Sequence, residues 1–160
     1  MDTLTLTSPA FENNGMIPAK YTCDGDRELS PPLAIDGVPE AAKSLVLVMD
    51  DPDIPEVKKR EFGLEAFDHW VLFNIPPKTR EIPEGTAAGT PGATTRGEPH
   101  YVGPCPPPEY EPREHRYFFR LYALDAPLPL PAGATKDEVL SALAPHLLAE
   151  AELVGRYSRK

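Results

Sequence analysis

The sequence predicts a mainly β protein, a sandwich of two antiparallel sheets with peripheral helices near the C-terminus. Four segments have the short, β-branched or aromatic pattern of strands, and turn residues follow them. Only one segment, near the C-terminus, has the capping and spacing of a clear helix. Long loops rich in proline connect these elements, and loops of that length in a compact domain usually carry function.

The four strand segments differ in how deeply they should be buried. Thr3–Thr7 alternates polar and apolar residues, which is the period of a half-buried strand. Ser44–Met49 is a continuous apolar run, typical of a strand buried on both faces, and it stops at Asp50. His69–Ile75 and Arg116–Leu124 contain long aromatic side chains, which fit a pleated surface better than a helix.

The helix should begin after a capping box and end near a proline. Thr135–Glu138 has the capping-box pattern, and apolar residues at helical spacing follow it. Pro145 should break or redirect the helix because proline cannot continue the hydrogen-bond ladder. Residues Ala151–Tyr157 can then return to a sheet as a further strand.

The bulk composition excludes several classes of partner. The chain has 160 residues, which suits one domain spanning 1–160, and its net charge is −9. Phosphate backbones need a basic surface, so nucleic acid is excluded as a main partner, and docking on anionic membranes is disfavoured. The N-terminus lacks the pattern of a signal peptide, and no apolar run approaches transmembrane length. We therefore expect a cytoplasmic protein.

The two cysteines are expected to be free thiols. Cys23 and Cys105 are far apart in the sequence and match no CxxC pattern. In a reducing compartment a structural disulfide is the less frequent arrangement.

Polar side chains that could carry chemistry stand where the predicted strands begin or end. Asp50, Asp51 and Asp53 follow one buried strand, and His69 and His115 open two others. If these strands are neighbours, the carboxylates and imidazoles meet at one edge of the sheet. An imidazolium beside a carboxylate offers a donor next to an acceptor, and such a pair can hold a phosphate or a small zwitterion.

Other interpretations of these residues stay open. Aspartates after a strand often only cap a turn, and a histidine at a strand start is commonly structural. His69, His115 and an aspartate could bind zinc, although no HxxxH spacing is present, and Cys105 with His115 could form a nucleophile pair. No nucleotide-binding or serine-hydrolase motif occurs. The residues alone thus favour a binding pocket over a catalytic centre.

Several linked motifs resemble the phosphatidylethanolamine-binding protein family. They occur in the family's order and cover nearly the whole chain: Asp50–Pro55, His69–Pro76, Tyr101–Pro107 and His115–Tyr117. Three further segments resemble its bacterial and archaeal branch, the Raf kinase inhibitor-like proteins: Tyr21–Gly25, Ser30–Leu33 and Ala149–Gly155.

The resemblance implies a fold and a pocket. The fold would be two antiparallel sheets with Greek-key connections and a C-terminal helical segment, with one small anion pocket at a sheet edge. The positions that match the family's pocket are Asp51, His69, His115, Tyr117, Gly103 and Pro104. The proline-rich loop before His115 would form a rigid wall of this pocket. We expect both histidines to donate to an anionic oxygen, with Asp51 favouring their charged forms.

The function that the resemblance implies is binding without catalysis. The ligand would be an anionic small molecule or a phosphorylated group, and the protein would modulate a kinase or protease partner without any cofactor. The alternative is an enzyme that uses the same residues, either a metal-dependent hydrolase or a phosphoryl-handling activity. A third class of function is protease inhibition through the proline-rich loop. A homodimer is a further possibility that the sequence leaves open.

Overall fold

The computed structural model describes residues 3–159, and within that range nine strands and two helices make up the fold. The strands are β1 (Thr5–Thr7), β2 (Gly15–Met16), β3 (Leu33–Asp36), β4 (Ser44–Asp51), β5 (Phe67–Ile75), β6 (Glu81–Ile82), β7 (Thr90–Pro91), β8 (Glu114–Leu124) and β9 (Leu147–Ser158). The helices are α1 (Glu56–Phe62) and α2 (Lys136–Leu143), and 3₁₀ turns cover Ala19–Tyr21 and Ala144–His146. The protein is therefore mainly β with two sheets, as the sequence predicts. No helix in this range is long and apolar enough to cross a membrane.

The larger sheet contains the strands that were expected to form the site. Its strand order is β2-β9-β8-β4-β5-β7, while β1, β3 and β6 form a separate sheet in the order β1-β3-β6. β4 lies between β5 and β8, and both pairings are antiparallel, so the three predicted strands are neighbours. One pairing departs from the expected antiparallel arrangement, because β2 runs parallel to β9 at Gly15 and Met16.

Strand β4 is buried along its whole length, as its unbroken apolar sequence predicts. On one face, Leu45 and Leu47 belong to a hydrophobic cluster that also contains Leu6 and Ile35 of the smaller sheet. This cluster joins the two sheets. Burying one such side chain stabilises a fold by about 1.5–3 kcal/mol, so the shared cluster is a major part of the stability.

Helix α2 covers the opposite face of β4. Val46 and Val48 form a second hydrophobic cluster with Val139 and Leu143 of the helix. The predicted capping box is present, because the Thr135 side chain accepts from the backbone N–H of Glu138 and the Glu138 carboxylate accepts from the Thr135 N–H. A 3₁₀ turn containing Pro145 follows, and the chain then returns to the sheet as β9.

Helix α1 lies in a segment expected to be a loop. It begins after Pro55 and ends at Gly63, whose backbone is left-handed with φ 65°. None of its seven residues is buried, so its sequence lacks the apolar stripe by which a helix is recognised. Two i,i+3 ion pairs on its surface, Lys58–Glu61 and Lys59–Glu56, support it instead.

Candidate functional site

The antiparallel pairing of β4 with β5 and β8 brings three predicted site residues to the same end of these three strands. Asp51 is the last residue of β4, His69 lies near the start of β5, and His115 is the second residue of β8. A register shift separates the Met49–Trp70 pair from the Asp50–Asp68 pair. His69 is therefore the extra residue of a bulge, a feature that often redirects a side chain beside a functional site.

Asp51 and His115 form a buried pair. The Nδ1–H of His115 donates to Oδ2 of Asp51 at 2.6 Å, and both side chains are almost completely buried. The other carboxylate oxygen of Asp51 accepts from the backbone N–H of Asp53 at 2.7 Å. The ring of His115 is thus held in one orientation. Its second nitrogen, Nε2, is buried and has no hydrogen-bond partner among residues 3–159.

His69 is held by a backbone carbonyl. Its Nδ1–H donates to the Val102 carbonyl at 2.7 Å, and the Val102 N–H donates in return to the His69 carbonyl at 2.9 Å. Burial lowers the pKa of His69 from 6.5 to about 4, so the ring is neutral at neutral pH. Asp51 favours the charged form of His69, as predicted, but the cost of burying the imidazolium exceeds this attraction, so the expectation that His69 is a charged donor was wrong.

Tyr117 separates the two imidazoles. Its ring meets His69 edge-on with centroids 5.3 Å apart and stacks on His115 at 6.3 Å. Burial raises the pKa of the phenol above its ordinary value of 10.0, so the hydroxyl stays protonated. The tyrosine fixes the spacing of the histidines and lines the same cavity.

A cavity of about 560 Å³ opens over these residues. Asp51, His69, His115 and Tyr117 line it together with Gly103, and apolar side chains supply much of the remaining wall. At Gly103 a Cβ would lie 3.0 Å from both the Thr22 Cα and the Tyr21 carbonyl oxygen, so the close approach of two chain segments favours glycine.

Pro104 is the one predicted site residue that does not line the cavity. It is buried, and its carbonyl accepts from the Cys23 N–H at 3.1 Å. Its role in the structure is to hold the proline-rich loop against the segment around Cys23. The loop nevertheless forms one wall, because Cys105, Pro106 and Pro107 face the cavity.

Cys23 and Cys105 form a disulfide, so the prediction of free thiols was wrong. Their separation of 82 residues gave no sign that the two chain segments meet. The bond fastens the cavity wall and leaves no Cys105 thiol to act as a nucleophile. It also removes the free thiols as an argument for the cytoplasm, because disulfides are typical of oxidising compartments and of the interior of hyperthermophiles.

The other two aspartates at or after the end of β4 form ion pairs with basic side chains. Asp50 is close to Arg120 at 3.0 Å and Lys136 at 3.2 Å. Asp53 forms a double hydrogen bond with the Arg116 guanidinium at 2.8 Å, and this lowers the pKa of that carboxyl. Neither lines the cavity, so Asp51 is the one aspartate of the three that does.

Two cationic side chains that the sequence analysis did not single out also line the cavity, Lys58 of α1 and Arg96. Arg96 is exposed and Lys58 is partly exposed, so we call this solvent-facing side the mouth of the cavity. The Lys58 ammonium lies 5.8 Å from the ring centre of Phe62 and 5.9 Å from that of Tyr110, so it connects α1 with the proline-rich loop. The basic run Lys58–Arg60 in an acidic chain was the available signal for Lys58.

A metal centre finds no support in the described part of the chain. Within residues 3–159 no group of three or more His, Cys, Asp or Glu side chains is arranged to hold a metal ion. The arrangement provides instead a buried carboxylate, two imidazoles and a phenol around a cavity with a cationic mouth. Such a set can hold and orient a small polar group.

The chain is similar to proteins of bacteria and archaea along its whole length. The family model described as phosphatidylethanolamine-binding protein matches residues 7–158. A UPF0098 protein of Methanothermobacter thermautotrophicus is 45% identical over 166 residues, which cover 98% of this chain and 99% of the relative. A UPF0098 protein of Chlamydia muridarum is 43% identical over 157 residues, which cover 98% of this chain and 99% of the relative.

Solved structures show the same similarity. A phosphatidylethanolamine-binding protein homologue from Chlamydia trachomatis superposes with a TM-score of 0.91 at 39% identity, and the match covers 100% of both chains. The E. coli protein YBCL superposes with a TM-score of 0.83 at 24% identity, and the match covers 98% of this chain and 99% of YBCL. This similarity shows a shared fold. The family model and these relatives agree, and the chain belongs to the phosphatidylethanolamine-binding protein family.

Proposed function

We propose that this protein binds a small anion, a phosphate or a phosphorylated group, in the cavity over Asp51 and His115, without catalysing a reaction. The observation that carries the proposal is the buried Nε2 of His115, which has no partner among residues 3–159 although the ring is fixed by Asp51. Buried polar atoms are rarely left unpaired in folded proteins. A ligand atom in the cavity would satisfy this nitrogen.

Anion binding at this nitrogen requires a proton. The Nδ1–H of His115 points at a carboxylate, so a neutral ring has only a lone pair at Nε2. Protonation at Nε2 converts the ring into a donor, and the Asp51 carboxylate offsets the charge inside the protein. Lys58 and Arg96 at the mouth add local positive charge to a chain whose net charge is −9, so an anion meets attraction at the entrance.

Family membership also supports two further proposals, one on how the sheets pack and one on a protein partner. We infer that the two sheets pack as a sandwich with Greek-key connections, and the hydrophobic cluster shared by the sheets supports this. A carboxypeptidase Y inhibitor with its cognate proteinase shares the fold, with a TM-score of 0.56 at 17% identity. A kinase or protease partner for this chain is part of the proposal, whereas the disulfide speaks against the cytoplasmic location that the sequence analysis expected. No observation favours the enzyme alternative.

Calorimetric titration of the protein with inorganic phosphate tests the proposal. We expect His115→Ala to weaken binding by at least about tenfold, because losing a charge-assisted hydrogen bond costs about 1.5–3 kcal/mol. Asp51→Asn keeps the shape but removes the charge, and it should weaken binding by a similar factor.

The matched control is His146→Ala, which removes an exposed histidine paired with Asp125 on a distant turn. Its affinity for phosphate should equal that of the unaltered protein. Equal affinity of all four proteins, or no binding by the unaltered protein, would end the proposal. Thermal unfolding of each variant establishes that the comparison is made on folded protein.

A further inference from the structure

The two histidines of the cavity have opposite hydrogen-bonding roles. A backbone carbonyl only accepts hydrogen bonds, so the 2.7 Å contact to Val102 places the His69 proton on Nδ1. The remaining nitrogen of His69, Nε2, therefore carries a lone pair. Because His69 lines the cavity, this nitrogen is the one that can accept a hydrogen bond from a ligand there.

His115 differs because its fixed partner is a carboxylate. The pair with Asp51 compensates a second proton on the ring, and the unpartnered Nε2 then donates. For His69 the nearest polar partner is a neutral carbonyl, and burial lowers the pKa of its ring to about 4. One wall of the cavity thus offers a donor and another an acceptor, with Tyr117 packed between them.

We infer that this pocket selects oxyanions that keep a proton, such as hydrogen phosphate, over anions of the same shape that carry none, such as sulfate. The inference rests on the proposed function and adds the chemical class of the ligand. An anionic oxygen of the ligand accepts from His115, and a second oxygen donates its O–H to Nε2 of His69.

A fully deprotonated anion cannot make the second contact. Its oxygen would bring a lone pair against the lone pair of His69, and a buried acceptor would stay unpaired. A site built to bond a hydroxyl rejects analogues that lack it far more strongly than an apolar pocket rejects a change of size. Phosphate and sulfate are both tetrahedral, so the difference between them isolates the proton.

The test is calorimetric titration of the whole protein with sodium phosphate and sodium sulfate at about pH 7 and equal ionic strength, where phosphate retains a proton and sulfate has none. We expect phosphate to bind at least about tenfold more tightly, the factor that corresponds to one unpaired buried group. Equal affinities would overturn the selectivity while leaving the anion pocket intact. Failure of both anions to bind would overturn the proposed function itself.

A variant and a spectroscopic measurement assign the selectivity to His69. His69→Asn keeps a donor for the Val102 carbonyl and removes the Nε2 acceptor, so the preference for phosphate should shrink to within about threefold, which is less than one lost hydrogen bond. An undiminished preference would overturn the role of His69. A second measurement does not depend on whether the variant folds. Nitrogen NMR of the unaltered protein with phosphate should show His69 protonated at Nδ1 alone. Protonation at Nε2 would contradict the inference.

Discussion

A histidine that is buried against a carbonyl makes the stability of the fold depend on pH. Burial lowers the pKa of His69 from 6.5 to about 4. Between these values the unfolded chain binds a proton that the folded protein does not bind. The free energy of unfolding therefore falls as the pH drops through this window, and it is regained as the pH rises.

We expect this group to remove roughly 3 kcal/mol of stability between pH 7 and pH 4, since one pKa unit corresponds to about 1.4 kcal/mol. Urea unfolding at several pH values measures the slope for the unaltered protein and for His69→Asn. The variant should have a clearly shallower slope, because aspartates and glutamates titrate in both proteins alike. Parallel slopes would show that His69 titrates normally.

The strand patterns placed the candidate residues at strand ends, and the resemblance to a known family predicted that they meet, but neither predicted the charge that each carries. Asp51, His69 and His115 stand at the ends of strands with strong patterns, so the neighbouring strands bring them together. The neutral state of His69 depends on burial by residues distant in the chain, and the hydrogen bond that orients its ring comes from Val102, which is 33 residues away. Local patterns contain no information about such contacts.

At the scale of elements, Lys136 of α2 joins the two strand ends from outside the cavity. Asp50 and Asp68 lie opposite each other on β4 and β5, and the Lys136 ammonium is 3.2 Å from the first carboxylate and 2.7 Å from the second. Two carboxylates in direct opposition repel each other without this cation.

We therefore expect Lys136→Met to lower the free energy of unfolding by about 2 kcal/mol, because a largely buried ion pair loses one partner. Adding Asp68→Asn to this variant should restore part of the loss, since the repulsion is then removed. Urea denaturation of the single and double variants measures the coupling. Lys20→Met, which removes an exposed pair with Glu84, is the control and should change little. Strictly additive effects of Lys136→Met and Asp68→Asn would contradict this account.

Elements with strong local patterns were predictable, and those that depend on distant partners were not. β4, β5, β8 and α2 follow from apolar runs, aromatic content and a capping box. β2, β6 and β7 have two residues each and exist because a longer strand or a neighbouring sheet edge pairs with them. No local pattern can identify a two-residue strand.

At the scale of the whole molecule, the disulfide connects the N-terminal third of the chain to the cavity wall. It closes a loop of 82 residues, for which chain entropy predicts a stabilisation of roughly 4 kcal/mol. Cys105 is exposed and lines the cavity, so a reductant can reach the bond. Reduction releases the wall that carries Gly103 and the Val102 carbonyl.

We expect a thiol reductant to lower the melting temperature and to weaken phosphate binding several-fold, because His69 loses its fixed partner. Differential scanning calorimetry with and without reductant measures the first effect. A variant in which both cysteines are alanine should already be destabilised and should not respond to the reductant. Alkylation without reductant followed by mass spectrometry counts the thiols, and two free thiols would contradict the disulfide.

The central claim is that a phosphate oxygen binds to the buried nitrogen that Asp51 orients. A crystal structure of the protein grown in phosphate tests it most directly. The account predicts a phosphate in the cavity with one oxygen about 2.7–3.0 Å from Nε2 of His115 and another facing Nε2 of His69. A phosphate bound only beside Lys58 and Arg96 at the mouth, with the two nitrogens in contact with water alone, would contradict it.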